Sequence, residues 1–219
     1  MKDQIFGDVP QVRTDLVQRN DPNIADHIRH FVKTELVPRI PKSVCLISVD
    51  GFDGVGKSTL TQMLADELGF QSIHLDDFLE KEQNCYFEAL RFSDLQDSVA
   101  EKTRWIVEGC LVQTVLSRLG ISADYKIYVI RASRMIAYPD QDWADEIDVL
   151  IGDKSAEEII ADEEGDLRAW FDMPGEFGGS GDFHGLEELR KELIRYHKSV
   201  LPHRTADLVV KIARIDIHV

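Results

Sequence analysis

The sequence predicts an α/β protein built on a parallel sheet with helices on both faces, and three observations predict it. Five short apolar, β-rich runs (44–50, 70–75, 104–107, 125–130 and 207–215) alternate with segments whose apolar residues recur at helical spacing. Directly after the first run come Gly51, four residues, then Gly56-Lys57-Ser58, which is the spacing G-x-x-x-x-G-K-[ST] with a strand before it and a helix after it. A chain of 219 residues with 43% hydrophobic content can bury one sizeable core, so a single α/β domain with insertions is expected.

In chain order, residues 1–22 are polar, carry Pro10 and Pro22 and hold no sustained period, so they read as an arm on the surface. Asn23 or Asp21 caps a helix over 24–36, where Ile24, Ile28, Phe31, Val32 and Leu36 form an apolar stripe that Pro38 stops. His27 and His30 on that helix lack a third ligand and read as a surface pair. The division is therefore 1–43 as N-terminal arm and helix and 44–219 as the main domain.

The strand at 44–50 runs into the loop Gly51, Asp53, Gly54, Val55, Gly56, Lys57, Ser58, Thr59, which reads as a nucleotide site. Lys57 brings a point charge to the β and γ phosphates, Ser58 a hydroxyl to Mg²⁺, and the helix after Thr59 turns its N-terminus toward the anion. Leu60, Leu64 and Leu68 lie on one face of that helix, and Gly69 ends it. The second strand, 70–75, delivers Asp76 and Asp77 to its carboxyl end, where a parallel sheet holds its ligands. A helix over 84–102 follows, then a strand ending in Glu108-Gly109, a weak helix over 111–119 and the strand 125–130 leading to Arg131 and Arg134. From 133 to 171 the pattern is helical, acidic and broken by Pro139, and 173–181 is rich in turn residues. An amphipathic helix over 186–201 and the strand 207–215 close the chain.

Four stretches together resemble one family: D-G-F-D-G-V-G-K-S-T from Asp50, L-D-D-F from Leu75, I-V-E-G from Ile106, and Y-H-x-x-x-L-P-x-x-x-A-D-L-V-V from Tyr196 to Val210. They look like the P-loop small-molecule kinases of the uridine kinase, pantothenate kinase and nicotinamide riboside kinase group, over roughly 44–132 and 186–212. The resemblance implies a P-loop NTPase kinase fold, a five-stranded parallel sheet in the order 2-3-1-4-5, ATP and Mg²⁺ as cofactors, and a small-molecule substrate. It also implies a lid after the fourth strand, here an acidic insertion at about 133–185, to which Arg131 and Arg134 bring charge for the transferring phosphate. This family usually carries a denser arginine cluster there. Arg168 or Arg204 can supply charge from elsewhere.

Phosphoryl transfer needs a phosphate cradle, a metal ion, a group to orient the attacking hydroxyl and positive charge over the transferring group. Asp76 is the candidate base, as at the first Asp of the motif in similar kinases, against a plain capping acid. Asp77 is a candidate for substrate or metal, or a cap. Glu108, a carboxylate at the end of a buried strand, is a candidate for Mg²⁺ with Ser58, or for a substrate hydroxyl. Asp53, inside the loop, is a candidate for contact with substrate or Mg²⁺, against its commoner role as a turn carboxylate. An arginine at 131 or 134 also fits a surface ion pair, and Tyr138 and Trp143 fit a core as well as a stacking site. His74 reads as a packed histidine.

The net charge of −15 argues against non-specific binding to nucleic acid or an anionic membrane. The acid concentrated between 140 and 164 reads as a solvated face. The three cysteines show no metal spacing, the start has no apolar signal core, and no run of about 18 apolar residues is present, so a cytoplasmic protein is expected, with a homodimer left open. A GTPase switch would need an N-K-x-D motif, which is absent. The remaining rival is a nucleotide-binding module with weak or no kinase activity, acting through the acidic segment as a partner surface.

Overall fold

The computed structural model describes residues 6–17, 23–80, 85–134, 142–144, 153–171 and 186–215, with side chains in 15–17, 132–134, 142–144 and 213–215 outside that description. The central strand β2 (Leu46–Asp50) is buried at all five positions, the signature of a strand covered on both faces. Around it stand β3 (Gln71–His74), β4 (Trp105–Glu108), β5 (Tyr125–Arg134) and β7 (Leu208–Ile215), with β1 (Gln11–Val17) at one edge. The order is β1-β7-β5-β2-β4-β3, and every pairing along it is parallel.

The five expected strands stand in the expected order, but the sheet is larger than the expected five. A sixth parallel strand, β1, comes from residues expected to form a surface arm. It is an edge strand whose ladder is supplied by β7, with Gln11 opposite Val209 and Val17 opposite Ile215. Its pairing therefore depends on a partner at the far end of the chain, and the local pattern carries little of it. The second correction lies after β5. β2 pairs with β5 only over Tyr125–Tyr128, and β5 then runs on. The free edge is taken by β6 (Asp142–Ala144), antiparallel to Ala132–Arg134, inside a segment expected to be helical.

The helices follow the apolar periodicity. α1 (Ile24–Phe31) continues as a looser π turn over Val32–Leu36 and a 3-10 turn over Val37–Arg39, where Pro38, lacking an N–H, ends the winding. α2 (Lys57–Leu68) buries Leu60, Leu64 and Ala65 and ends at Gly69, whose φ of 68° suits glycine. The expected helix over 84–102 is shorter, α3 (Phe92–Ala100), and is preceded by a turn at 86–89. α4 (Val112–Arg118), α5 (Ala156–Phe171), α6 (Glu188–Ser199) and the short α7 (Pro202–Thr205) complete the set.

Strand alternation places Ser48 and Asp50 of β2 on one face. That face is covered by α4, whose Gln113 donates from Nε2 to Ser48 Oγ at 3.1 Å, and by α6, whose Tyr196 donates its hydroxyl to Asp50 Oδ2. Carboxylates also pin the amino ends of the strands. Asp124 Oδ2 accepts from the N–H groups of Cys45 and Leu46, both at 2.9 Å, and Asp207 Oδ2 accepts from Lys126 N at 2.8 Å. Asp207 of the closing A-D element thus has a structural duty. The three cysteines are free, and among the described residues no helix is long and apolar enough to cross a membrane.

Candidate functional site

The loop 51–56 leaves the carboxyl end of β2 and enters α2, and it can do so only with glycine at its closest approaches. A Cβ on Gly51 would stand 2.3 Å from the Val129 carbonyl oxygen, so the neighbouring strand leaves no room for a side chain. Gly56, at φ 96°, starts α2, so the unpaired N–H groups of the first helical turn face the loop. Phe52 is buried under the loop and stacks on His197 at 3.9 Å between ring centres. Burial lowers His197 to about 3, so the imidazole is neutral; its Nδ1 donates to the Leu193 carbonyl at 2.8 Å. Arg190 lies over the Phe52 ring at 5.4 Å.

Above this floor is a cavity of about 230 Å³ lined by Asp53, Gly54, Gly56, Lys57, Ser58, Thr59, Asp76, Glu108, Gly109 and Cys110. It joins the carboxyl ends of β2, β3 and β4. Lys57 is buried, and its ammonium donates to the Phe52 carbonyl at 2.7 Å, arching back over the loop. Cys110 lies 4.0 Å from it; burial pushes that thiol up to about 12, so it stays neutral beside the ammonium.

Ser58 donates its hydroxyl to Glu108 Oε1 at 2.9 Å, and His74 Nδ1 lies 2.7 Å from the same oxygen. The second contact follows from register, because His74 stands directly opposite Glu108 on adjacent parallel strands, so both side chains share a face. Glu108 is almost fully buried, and His74 is one-quarter exposed rather than packed away. Across the cavity the Asp76 carboxylate accepts a hydrogen bond from Tyr86 at 2.6 Å. Gly109 is held close to Leu75 and Tyr86: a Cβ there would meet Leu75 Cβ at 2.7 Å and the Tyr86 hydroxyl at 2.9 Å.

Of the residues singled out from sequence, the fold brings Asp53, Gly54, Gly56, Lys57, Ser58, Thr59, Asp76 and Glu108 into one cavity. Gly51 and Val55 support the loop from beneath, Val55 in the core. Asp77 is exposed on the 3-10 turn Leu75–Phe78, where its carbonyl accepts from Arg91 at 3.0 Å, and its side chain is not part of the lining. Arg131 is half-buried on β5, outside the lining, and the side chain of Arg134 lies outside the described residues, as do Tyr138 and the loop 173–181. Asp50, Tyr196 and His197 stand in the stretches that resemble the family, yet neither they nor Tyr86 and Cys110 were given a role at the site. Of these, the buried Asp50 had a usable signal, a carboxylate ending an otherwise apolar strand.

No protein-family model matches the chain, and no curated protein matches it. Among solved structures, the chain is similar to a possible uridine kinase from Bacillus stearothermophilus, at 14% identity over 86% of this chain and 99% of that one, with a TM-score of 0.45. A likeness at that level says nothing of substrate or activity. Fold and loop together define a P-loop α/β protein: a parallel sheet with G-x-x-x-x-G-K-S at the carboxyl end of its central strand.

Proposed function

We propose that this protein is a kinase of the uridine kinase-like kind, transferring the γ-phosphoryl group of ATP to a hydroxyl of a small metabolite: a nucleoside, a vitamin precursor or a sugar-like compound. The observation that carries the reading is the convergence of three parts on one cavity: the loop with Lys57, the Ser58–Glu108 pair, and Asp76 facing them from the end of β3. A phosphate-binding loop alone would fit many activities. A carboxylate opposite it supplies what transfer to an alcohol needs.

The donor set fits Mg²⁺, since Ser58 Oγ and the Glu108 carboxylate are hard oxygens beside the phosphate cradle, and this ion takes few protein ligands alongside phosphate oxygens and water. Bound there with ATP, it would neutralise charge on the β and γ phosphates. The backbone N–H groups of 54–58 hold the phosphate chain, and Lys57 swings from the Phe52 carbonyl to the transferring group. His74 keeps Glu108 turned toward Ser58. Asp76 accepts the proton of the acceptor hydroxyl as its oxygen bonds to the γ-phosphorus and the bond to the β–γ bridging oxygen breaks, releasing ADP.

A nucleotide-binding module with little transfer is the second reading, favoured by Lys57 being the one cation among the described residues of the lining. An ADP-release assay with Mg-ATP against nucleosides, pantothenate, nicotinamide riboside and simple sugars separates the two. Stimulation by one class, lowered about 10²-fold or more by Asp76→Asn, supports the kinase. ATP binding with no stimulation by any acceptor supports the module.

A further inference from the structure

Behind Asp76 stands Tyr86, which no step of the proposed transfer uses. Its ring is buried, and its hydroxyl donates to Asp76 Oδ1 at 2.6 Å while accepting the Cys110 N–H at 3.4 Å. Donor and acceptor are unambiguous here: burial and the nearby Asp76 charge raise the phenol well above its ordinary range, so it keeps its proton. The residue is anchored from below as well. Its backbone N–H donates to Glu192 Oε2 of α6 at 2.6 Å, and its turn is tied back to the chain after Asp76 by Glu80 N to Ala89 O at 2.7 Å. Gly109 is the space-maker, because a methyl there would press on this same hydroxyl.

A carboxylate on an exposed 3-10 turn has a broad χ2 and little to hold it. A donor clamped on one oxygen removes that freedom, and Asp76 lines the cavity. We propose that Tyr86 is a positioning residue for Asp76: its hydroxyl holds Oδ1 so that Oδ2 is presented to the acceptor hydroxyl. The assignment rests on the proposed kinase function. It goes beyond that reading by naming the group that orders the base.

The test is Tyr86→Phe in the full chain, which keeps the ring and removes the hydroxyl, the donor to Asp76 and the acceptor of the longer Cys110 N–H contact. With the best acceptor, kcat falls about tenfold while KM for ATP is unchanged, and Tyr86→Phe adds no further loss on top of Asp76→Asn, as expected when both act through one contact. The second readout needs no turnover: the ¹³C shift of the Asp76 carboxyl at one fixed pH, which moves in Tyr86→Phe because Oδ1 loses its donor. An unchanged carboxyl shift, or a loss additive with that of Asp76→Asn, overturns the positioning role. A wild type silent toward every acceptor overturns the proposed function and the role with it, and the carboxyl shift then reports separately whether the Tyr86–Asp76 contact exists.

Discussion

Removing the Tyr196 hydroxyl probes the buried acid at the root of the loop 51–56. Asp50 is 2% exposed and holds the loop at its root: its Oδ1 accepts from Gly51 N at 2.7 Å, and its Oδ2 accepts from Tyr196, whose oxygen also accepts from Gln113 N at 3.3 Å. Burial raises the carboxyl from 3.8 to about 6, against the pull of those hydrogen bonds and of the Lys57 charge. The folded chain thus binds this proton more tightly than the unfolded chain does. Below 3.8 both states hold it and nothing is lost; as pH climbs from 3.8 through about 6 the folded state is penalised, reaching about 3 kcal/mol above that range.

Tyr196 limits this penalty, and it remains a donor at neutral pH because burial and Asp50 raise it well above its ordinary value. In Tyr196→Phe the charged acceptor at pH 8 loses about 1.5–3 kcal/mol, whereas the protonated acid near pH 4.5 loses about 0.5–1.5 kcal/mol. Urea unfolding followed by tryptophan fluorescence at both pH values reads the difference, and the pH 8 loss corresponds to a Tm drop of roughly 3–12 °C for a chain of this size. A loss at pH 4.5 equal to or larger than that at pH 8 would refute a charged Asp50 held by this hydroxyl.

Lys57→Ala is expected to weaken nucleotide binding or turnover strongly with the far-ultraviolet circular dichroism unchanged, since the ammonium lines the cavity and its lost protein partner is a loop carbonyl. ATP turnover at the wild-type rate would count against the loop assignment. Gly109→Ala forces a methyl to 2.7 Å from Leu75 Cβ at a φ of 156°, so stability falls by about 1–3 kcal/mol in urea titrations, and transfer falls further because the same methyl displaces the Tyr86 hydroxyl. A Gly109→Ala protein with wild-type stability would show that β4 can relax away from β3.

Much of the site was legible because its needs are local. A loop that wraps phosphate must have small residues at fixed intervals between a strand and a helix, and Gly51, Gly56, Lys57 and Ser58 satisfy that within one stretch. Acids at strand ends are legible for a related reason: Asp76 and Glu108 interrupt apolar runs where packing favours no charge. The turn at Gly69 and the stop at Pro38 are likewise backbone statements written in single residues. The partnerships were not legible. Ser58 meets Glu108 from 50 positions away and Tyr196 meets Asp50 from 146, and each pair exists only because sheet order and register set those ends side by side. β1 makes the same point for the backbone, since an edge strand borrows its hydrogen bonds from a neighbour and the polar face it turns outward resembles a loop. Chain-local stereochemistry thus determined the glycine loop 51–56 and most of the elements, while His74 on Glu108 and Tyr86 on Asp76 were decided by tertiary packing, which alone brings side chains from separate segments within hydrogen-bond reach.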